Sequence, residues 1–313
     1  MDDAASETGR PRGASAALGR AEALLADPDA DPAAVLAAFE AAADILTTPC
    51  GDGEIVWHTF GAGPAVAMLH GGHGSWLHWL RVIAPLARSH RLLVADMPGY
   101  GASGDLPVIP DEGTAFADAM ARPIADGLAA LCGEAPVTVV GFSFGGVVGA
   151  RLVRMLGARA AGFVVIGSMG FGFPLGPPPP LRKVRNVGAD ALAEVHRANL
   201  AAMMFADPSR IDALAVHIQG LNVPRARAPS RLASRSAALL EALPEIAAPV
   251  TAIYGERDSV AFQHAERWEI LAAHPAGARQ HVLPGVGHWA QYEAADTVAP
   301  LIARAIAEPP GVA

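Results

Sequence analysis

Little in the sequence cross-links it, and nothing in it is long enough to anchor it in a bilayer. Cys50 and Cys132 are its only cysteines. Two thiols without Cys-x-x-Cys spacing build no disulfide framework, and they read as reduced cysteines of a cytoplasmic protein. No apolar run approaches the roughly 18 residues that a membrane helix needs, and the opening "MDDAASETGR" lacks the basic stretch and apolar core of a secretory signal. Basic charge is the minority: 23 Lys and Arg against 31 Asp and Glu leave a net charge of −8, with no basic stripe. That balance excludes nucleic acid as the main partner. The partner expected instead is a small-molecule substrate, with no membrane, and homo-oligomerisation is left open.

What is present is material for a core. The chain has 313 residues, 52% of them hydrophobic, and its 33 glycines and 26 prolines are scattered rather than repetitive. This suits one elaborated α/β domain with an insertion. Residues 1–48 are Ala-rich, and "AAVLAAFEAAADIL" (33–46) reads as a helix with Asp31 as N-cap and Pro32 at its first position. The expectation is a helical N-terminal extension packed outside the main domain. Next come short β-branched runs at 54–60, 65–69, 91–97, 137–142, 162–167, 250–255 and 280–285. They alternate with helical patterns near 76–88, 115–133, 144–157, 260–274 and 289–307. Such alternation predicts an α/β fold, a mostly parallel sheet covered by helices on both faces. The rhythm breaks over 169–245, where four consecutive prolines (Pro177–Pro180) precede helical stretches with no strand. This segment reads as a helical cap inserted between a first core segment (49–168) and a second (246–313).

Chemistry concentrates at the ends of the predicted strands. "VVGFSFGGVVGA" (139–150) places Gly141-x-Ser143-x-Gly145 between a strand and a helix. There a serine sits on a sharp turn with its hydroxyl projecting, and small neighbours let the backbone bend. The pattern also fits a plain strand–turn–helix. If Ser143 is a nucleophile, the Phe144 N–H at the helix start is placed for a developing oxyanion, and Gly72 of "HGGHGSW" (70–76) is the candidate second donor. His70, His73 and His78 match no metal-ligand spacing, so no metal and no cofactor are expected, and His70 is assigned to loop geometry. Asp96 in "ADMPGYGASG" (95–104) is read as a loop anchor. Asp258 lies just beyond a later strand in "IYGERDSV" (253–260), with Glu256 as competing acid. His288 in "GVGHWAQYE" (285–293) follows the last strand. The order Ser, Asp, His, each after its strand, belongs to one hydrolase architecture.

Together the stretches "HGG", "DMPGYGASG", "GFSFGG", "GERD" and "GVGHW" resemble the α/β-hydrolase superfamily in its capped Ser-His-Asp form, over roughly residues 52–308. The resemblance implies Ser143 as nucleophile, His288 as general base and then acid, Asp258 as orienting acid, and Phe144 with Gly72 as oxyanion donors. Serine rather than aspartate at 143 disfavours haloalkane dehalogenases and epoxide hydrolases. Within the superfamily, "GHWAQYE" is similar to the meta-cleavage-product hydrolases, which cut a C–C bond in ring-opened aromatic acids. That family generally has a polar residue before its nucleophile, whereas this chain has Phe142. It also uses a cap arginine for the substrate carboxylate, for which Arg197 is a counterpart if it is not a solvated helix charge.

Gly71, Phe142, Trp289 and Arg197 are therefore the candidate substrate-contacting residues, and "FGFPLG", "AAMMF" and Trp289 suggest an apolar lining. The leading expectation is a serine hydrolase cleaving a carboxylic ester-type bond through an acyl-enzyme. The alternatives are a C–C hydrolase of meta-cleavage products, a non-enzymatic ligand receptor on the same scaffold, and a cofactor-free haloperoxidase-like activity.

Overall fold

The computed structural model describes residues 12–174, 176–177 and 179–308. Residues 1–11 of the expected extension, 309–313 at the end of the second core segment, and Leu175 and Pro178 at the start of the expected cap lie outside them.

Eight strands form one sheet: β1 (Asp44–Cys50), β2 (Gly53–Phe60), β3 (Ala65–Leu69), β4 (Arg91–Ala95), β5 (Val137–Phe142), β6 (Ala160–Ile166), β7 (Val250–Gly255) and β8 (Ala278–Leu283). Their order across the sheet is β1-β2-β4-β3-β5-β6-β7-β8. β1, β2 and β4 pair antiparallel, and every pairing from β4 through β8 is parallel. In a strand, successive side chains point to opposite faces, and the inner strands sort their residues accordingly. Val66, Met68, Leu92, Val94, Val140, Phe142 and Ile253 enter one apolar core. Ala67, Leu69, Leu93, Ala95, Val137, Val139, Ala252 and Tyr254 enter the other. Apolar residues on both faces are what a parallel sheet covered on two sides requires.

The helices are α1 (Arg12–Ala26), α2 (Pro32–Ala42), α3 (Leu80–Ala87), α4 (Gly113–Cys132), α5 (Phe144–Leu156), α6 (Ala189–Met203), α7 (Ala213–Asn222), α8 (Arg231–Ser234), α9 (Ala238–Ala242), α10 (His264–Ala272), α11 (Ala290–Glu293) and α12 (Ala295–Ala307). The cores they cover have α1–α3, α11 and α12 on one side, and α4, α5, α9 and α10 on the other. None of them, among the described residues, is long and apolar enough to cross a membrane.

Two boundaries and one placement differ from the sequence reading. The helix expected over 33–46 stops at Ala42, and Asp44 begins β1, so a cut at 48 falls inside a strand. Nor does the extension lie outside the domain: Leu18, Ala21, Val35, Leu36 and Phe39 are buried in the same core as β3 and β4. At the other boundary, α9 packs its Ala238, Leu239 and Ala242 into the core beside α5, and Arg151 of α5 donates to the Ala238 carbonyl. The end of the expected cap, near 245, thus belongs to the core by packing. α6, α7 and α8 make up the rest of the strandless segment, and they too bury residues in the cores, Leu200, Leu214, Ala215 and Ile218 in one and Ala233 in the other.

Candidate active site

β5 ends and α5 begins at Ser143, whose backbone is left-handed (φ 52°, ψ −115°). An L-residue held there is strained, and such strain clusters at functional sites. The surrounding glycines explain how the turn is reached. A Cβ on Gly145 would stand 2.1 Å from the Leu69 carbonyl oxygen, and one on Gly141 would stand 2.4 Å from the Gly145 carbonyl oxygen. The turn is further held by the Ser143 N–H donating to Ile166 O at 2.8 Å and the Ser168 hydroxyl donating to Ser143 O at 3.0 Å. Phe144 is the first residue of α5, so its N–H has no intrahelical acceptor.

His288 sits on the turn after β8. Its Nε2 lies 3.0 Å from Ser143 Oγ, and its Nδ1 lies 2.8 Å from Asp258 Oδ2. Asp258 follows β7 and is buried, with its other oxygen accepting the Val260 and Ala261 amides at 2.8 Å each. Burial pushes this carboxyl upward, but the facing imidazole and the two amides outweigh it and hold the group below its usual range. An ionised Asp258 fixes the His288 proton on Nδ1 and leaves Nε2 to accept from the serine. Glu256, the competing acid, instead accepts the Gly285 N–H at 2.9 Å. The three residues expected to act together are in hydrogen-bond contact across three separate loops.

The "HGG" loop runs beside the serine: a Cβ on Gly71 would come within 3.4 Å of Ser143 Cβ. His70 holds this loop. Its Nδ1–H donates to Gly71 O at 2.8 Å, and its Nε2 accepts the Met97 N–H at 3.0 Å. Both ring nitrogens are thereby used in the neutral form, and complete burial pulls its pKa down to about 4. His78 Nδ1 accepts the Gly71 N–H at 3.3 Å. Asp96 accepts the Trp76 and Ala102 amides at 2.8 Å each, as a loop anchor does. Gly72 borders the same space as Ser143.

That space is a cavity of about 710 Å³ lined by Gly71, Gly72, Phe142, Ser143, Phe144 and His288 from the core. Phe171, Phe173, Met203 and Met204 add an apolar wall, and Gln219, Ser230 and Arg231 also line it. Two expected substrate contacts are elsewhere. Trp289 is fully buried, donating its indole N–H to His78 O at 3.0 Å, with its ring tilted against that of Tyr292 at 4.3 Å. Arg197 donates to the Ile211 carbonyl and does not line the cavity. Neither Ser230 nor the buried Arg267, both cavity-lining, stands out in the sequence, because nothing in a lone Ser or Arg reports which cavity it reaches.

"HWAQYE" has a structural role here. Glu293 accepts amides from Ala206, Asp207 and Gly287. The Tyr292 hydroxyl donates to Asp212 at 2.8 Å, with the Arg81 guanidinium 4.4 Å above its ring.

A doubly covered parallel sheet with a serine turn after β5 and an acid and histidine after β7 and β8 defines a class of enzyme. Residues 66–301 match the Alpha/beta hydrolase family, and the chain belongs to it: this protein is a hydrolase. Among curated proteins it is 30% identical to a 2-hydroxy-6-oxo-6-phenylhexa-2,4-dienoate hydrolase of Burkholderia cepacia, over 75% of this chain and 85% of that one. It is 29% identical to a 2-hydroxymuconate semialdehyde hydrolase of Pseudomonas sp. (strain CF600), over 80% and 89%. Among solved structures, an esterase from Rhodococcus sp. ECU1013 superposes with a TM-score of 0.68 at 22% identity, covering 85% of this chain and 99% of that one. A meta-cleavage product hydrolase from Pseudomonas fluorescens IP01 superposes with a TM-score of 0.65 at 20% identity, covering 84% and 97%. The solved structures share the fold.

Proposed function

We propose that the protein is a serine hydrolase that cleaves an ester-type bond of a small, largely apolar substrate. The observation that carries this reading is the continuous hydrogen-bond series from Ser143 Oγ through His288 to the buried Asp258. His288 Nε2 takes the hydroxyl proton as Ser143 Oγ bonds to the substrate carbonyl carbon. The electron pair of the C=O moves onto oxygen, where the Phe144 and Gly72 amides receive the charge. His288 then returns the proton to the leaving oxygen and an acyl-enzyme remains. Water, deprotonated by the same imidazole, releases the acid. Asp258 keeps the imidazole in the required tautomer and stabilises its cation. Each oxyanion donor is worth roughly a hundred- to a thousandfold in rate.

A second reading, hydrolysis of a C–C bond in a ring-fission product, is favoured by the activities named for the curated relatives at 29–30% identity. Phe142, beside the nucleophile and 5.0 Å from the His288 ring, weighs against it, because that chemistry must first ketonise a dienol and needs polar groups near the serine. One spectrophotometric assay separates the two, following p-nitrophenyl esters in parallel with a ring-fission dienolate. Faster turnover of the dienolate assigns C–C cleavage. Loss of activity in Ser143→Ala is expected for both, and retained hydrolysis by pure Ser143→Ala protein would overturn both.

A further inference from the structure

Arg267 is the most deeply buried arginine in the structure, 1% exposed, yet no carboxylate pairs with it among the described residues. A desolvated charge is normally retained only with a counter-charge. Arg151, the other buried arginine, obeys that rule, as does the partly buried Arg81. Arg151 forks onto Asp118 with two bonds of 2.7 Å, and Arg81 meets Asp212. Arg267 has only carbonyls and rings. Its Nη1 donates to Gln263 O at 3.0 Å and Ala261 O at 3.5 Å, and its Nε has no partner among the described residues. Its guanidinium lies 4.4 Å from the Tyr254 ring, 5.2 Å from Phe171 and 5.7 Å from Phe173. The rings fix its orientation but supply no anion.

This guanidinium lines the same cavity as Ser143 and His288. The described lining contains no Asp or Glu, although the whole chain carries an excess of acid. Its other formal cations, Arg182, Lys183, Arg185, Arg231 and Arg235, are exposed around it. A concave site of one sign gathers ligands of the other, and a planar guanidinium with free N–H groups matches the two oxygens of a carboxylate.

We propose that Arg267 receives a carboxylate carried by the substrate, so that the acid is recognised from the core, beside the loop that holds Asp258, rather than by Arg197 of the cap. The substrate class is then a carboxylic acid with an apolar body, the body against Phe171 and Phe173 and the reactive carbonyl at Ser143. This rests on the serine-hydrolase reading for the direction of the substrate. The binding itself is tested without turnover.

Calorimetry on Ser143→Ala protein measures the affinity of 4-phenylbutanoate and of the isosteric 4-phenylbutanamide. The acid is expected to bind roughly ten- to a hundredfold more tightly, as a charge-assisted contact in a dry site should. In Ser143→Ala/Arg267→Met that ratio should collapse toward one, and Ser143→Ala/Arg267→Lys should restore some of it. Equal affinities for acid and amide in the Ser143→Ala protein overturn the proposal whether or not the Met variant folds. A preference for the acid that survives Arg267→Met overturns it too, assigning the anion to the exposed cations. A failed hydrolase reading leaves these ratios untouched and appears only as absent turnover in the unmutated enzyme.

Discussion

Glu293 accepts the Gly287 N–H at 2.6 Å, one residue before His288, and the same carboxylate accepts the Ala206 and Asp207 amides that follow α6. A single buried side chain thus fastens the histidine turn to the chain that leaves α6. The adjacent backbone repeats the connection, since the Trp289 N–H donates to Met204 O at 2.8 Å.

Glu293→Gln should keep the shape and lose the clamp, because an amide offers one acceptor oxygen and turns an NH2 toward backbone donors. Leaving buried amides unpaired costs about 1–3 kcal/mol. Urea unfolding should show a loss of that size, with kcat falling through displacement of His288. A variant with unchanged stability and turnover would show that the clamp holds nothing in place.

Asp258→Asn should leave the fold standing while lowering hydrolysis by about 10⁴. The neutral amide no longer fixes the proton on His288 Nδ1 or stabilises the imidazolium. Steady-state rates on an activated ester, alongside thermal melting of the same preparation, check both halves. Rates within about tenfold of the unmutated enzyme would place the orienting acid elsewhere.

Gly145→Ala should fold poorly. Its methyl would press on the Leu69 and His70 carbonyl oxygens at 2.1 and 2.5 Å, and both are backbone atoms of the sheet's centre. Forcing extra volume into such a contact costs about 1–3 kcal/mol or more. Equilibrium unfolding should show this, and a variant as stable as the parent would mean that the strand and turn can separate.

Acid should destabilise the protein from about pH 6.5 downward. His58 and His70 are buried and protonate only near 4 when folded, against 6.5 for the solvated group. Between those values the unfolded chain binds more protons than the folded one, so stability is full above 6.5 and declines as pH falls toward 4. For His70 alone the window is worth on the order of 3 kcal/mol. Asp96 opposes this to some extent, because burial raises its carboxyl to about 6. Through pH 4–6 the folded state therefore holds one proton more at Asp96, and the two histidines outnumber it. Melting temperature followed from pH 8 to 4 should fall; a rise on acidification would show that Asp96 dominates.

The fold was legible because its inner strands are short β-branched runs with apolar residues on both faces, a pattern that survives without knowledge of contacts. β1 escaped because the Ala-rich helical pattern of 33–46 runs without interruption into "DILTTPC", an edge strand with few apolar residues facing a core. The serine, acid and histidine were legible because each follows a strand within a short Gly-containing turn. Their order in the chain repeats the order of β5, β7 and β8 in the sheet. Trp289 and Arg197 were misplaced for the opposite reason. Which side of a turn or helix reaches the cavity depends on packing between segments far apart in sequence, and Arg267, nine residues past Asp258, carries no local mark of its surroundings.

The bonds joining residues 204–207 to the histidine turn limit how substrate can enter. A swing of α6 away from the sheet would pull on the base needed for the reaction and dismantle the site. Gly176, Pro177, Pro179 and Arg182 also line the cavity without touching that turn through any described hydrogen bond. A substrate path on that side would leave Ser143, His288 and Asp258 assembled.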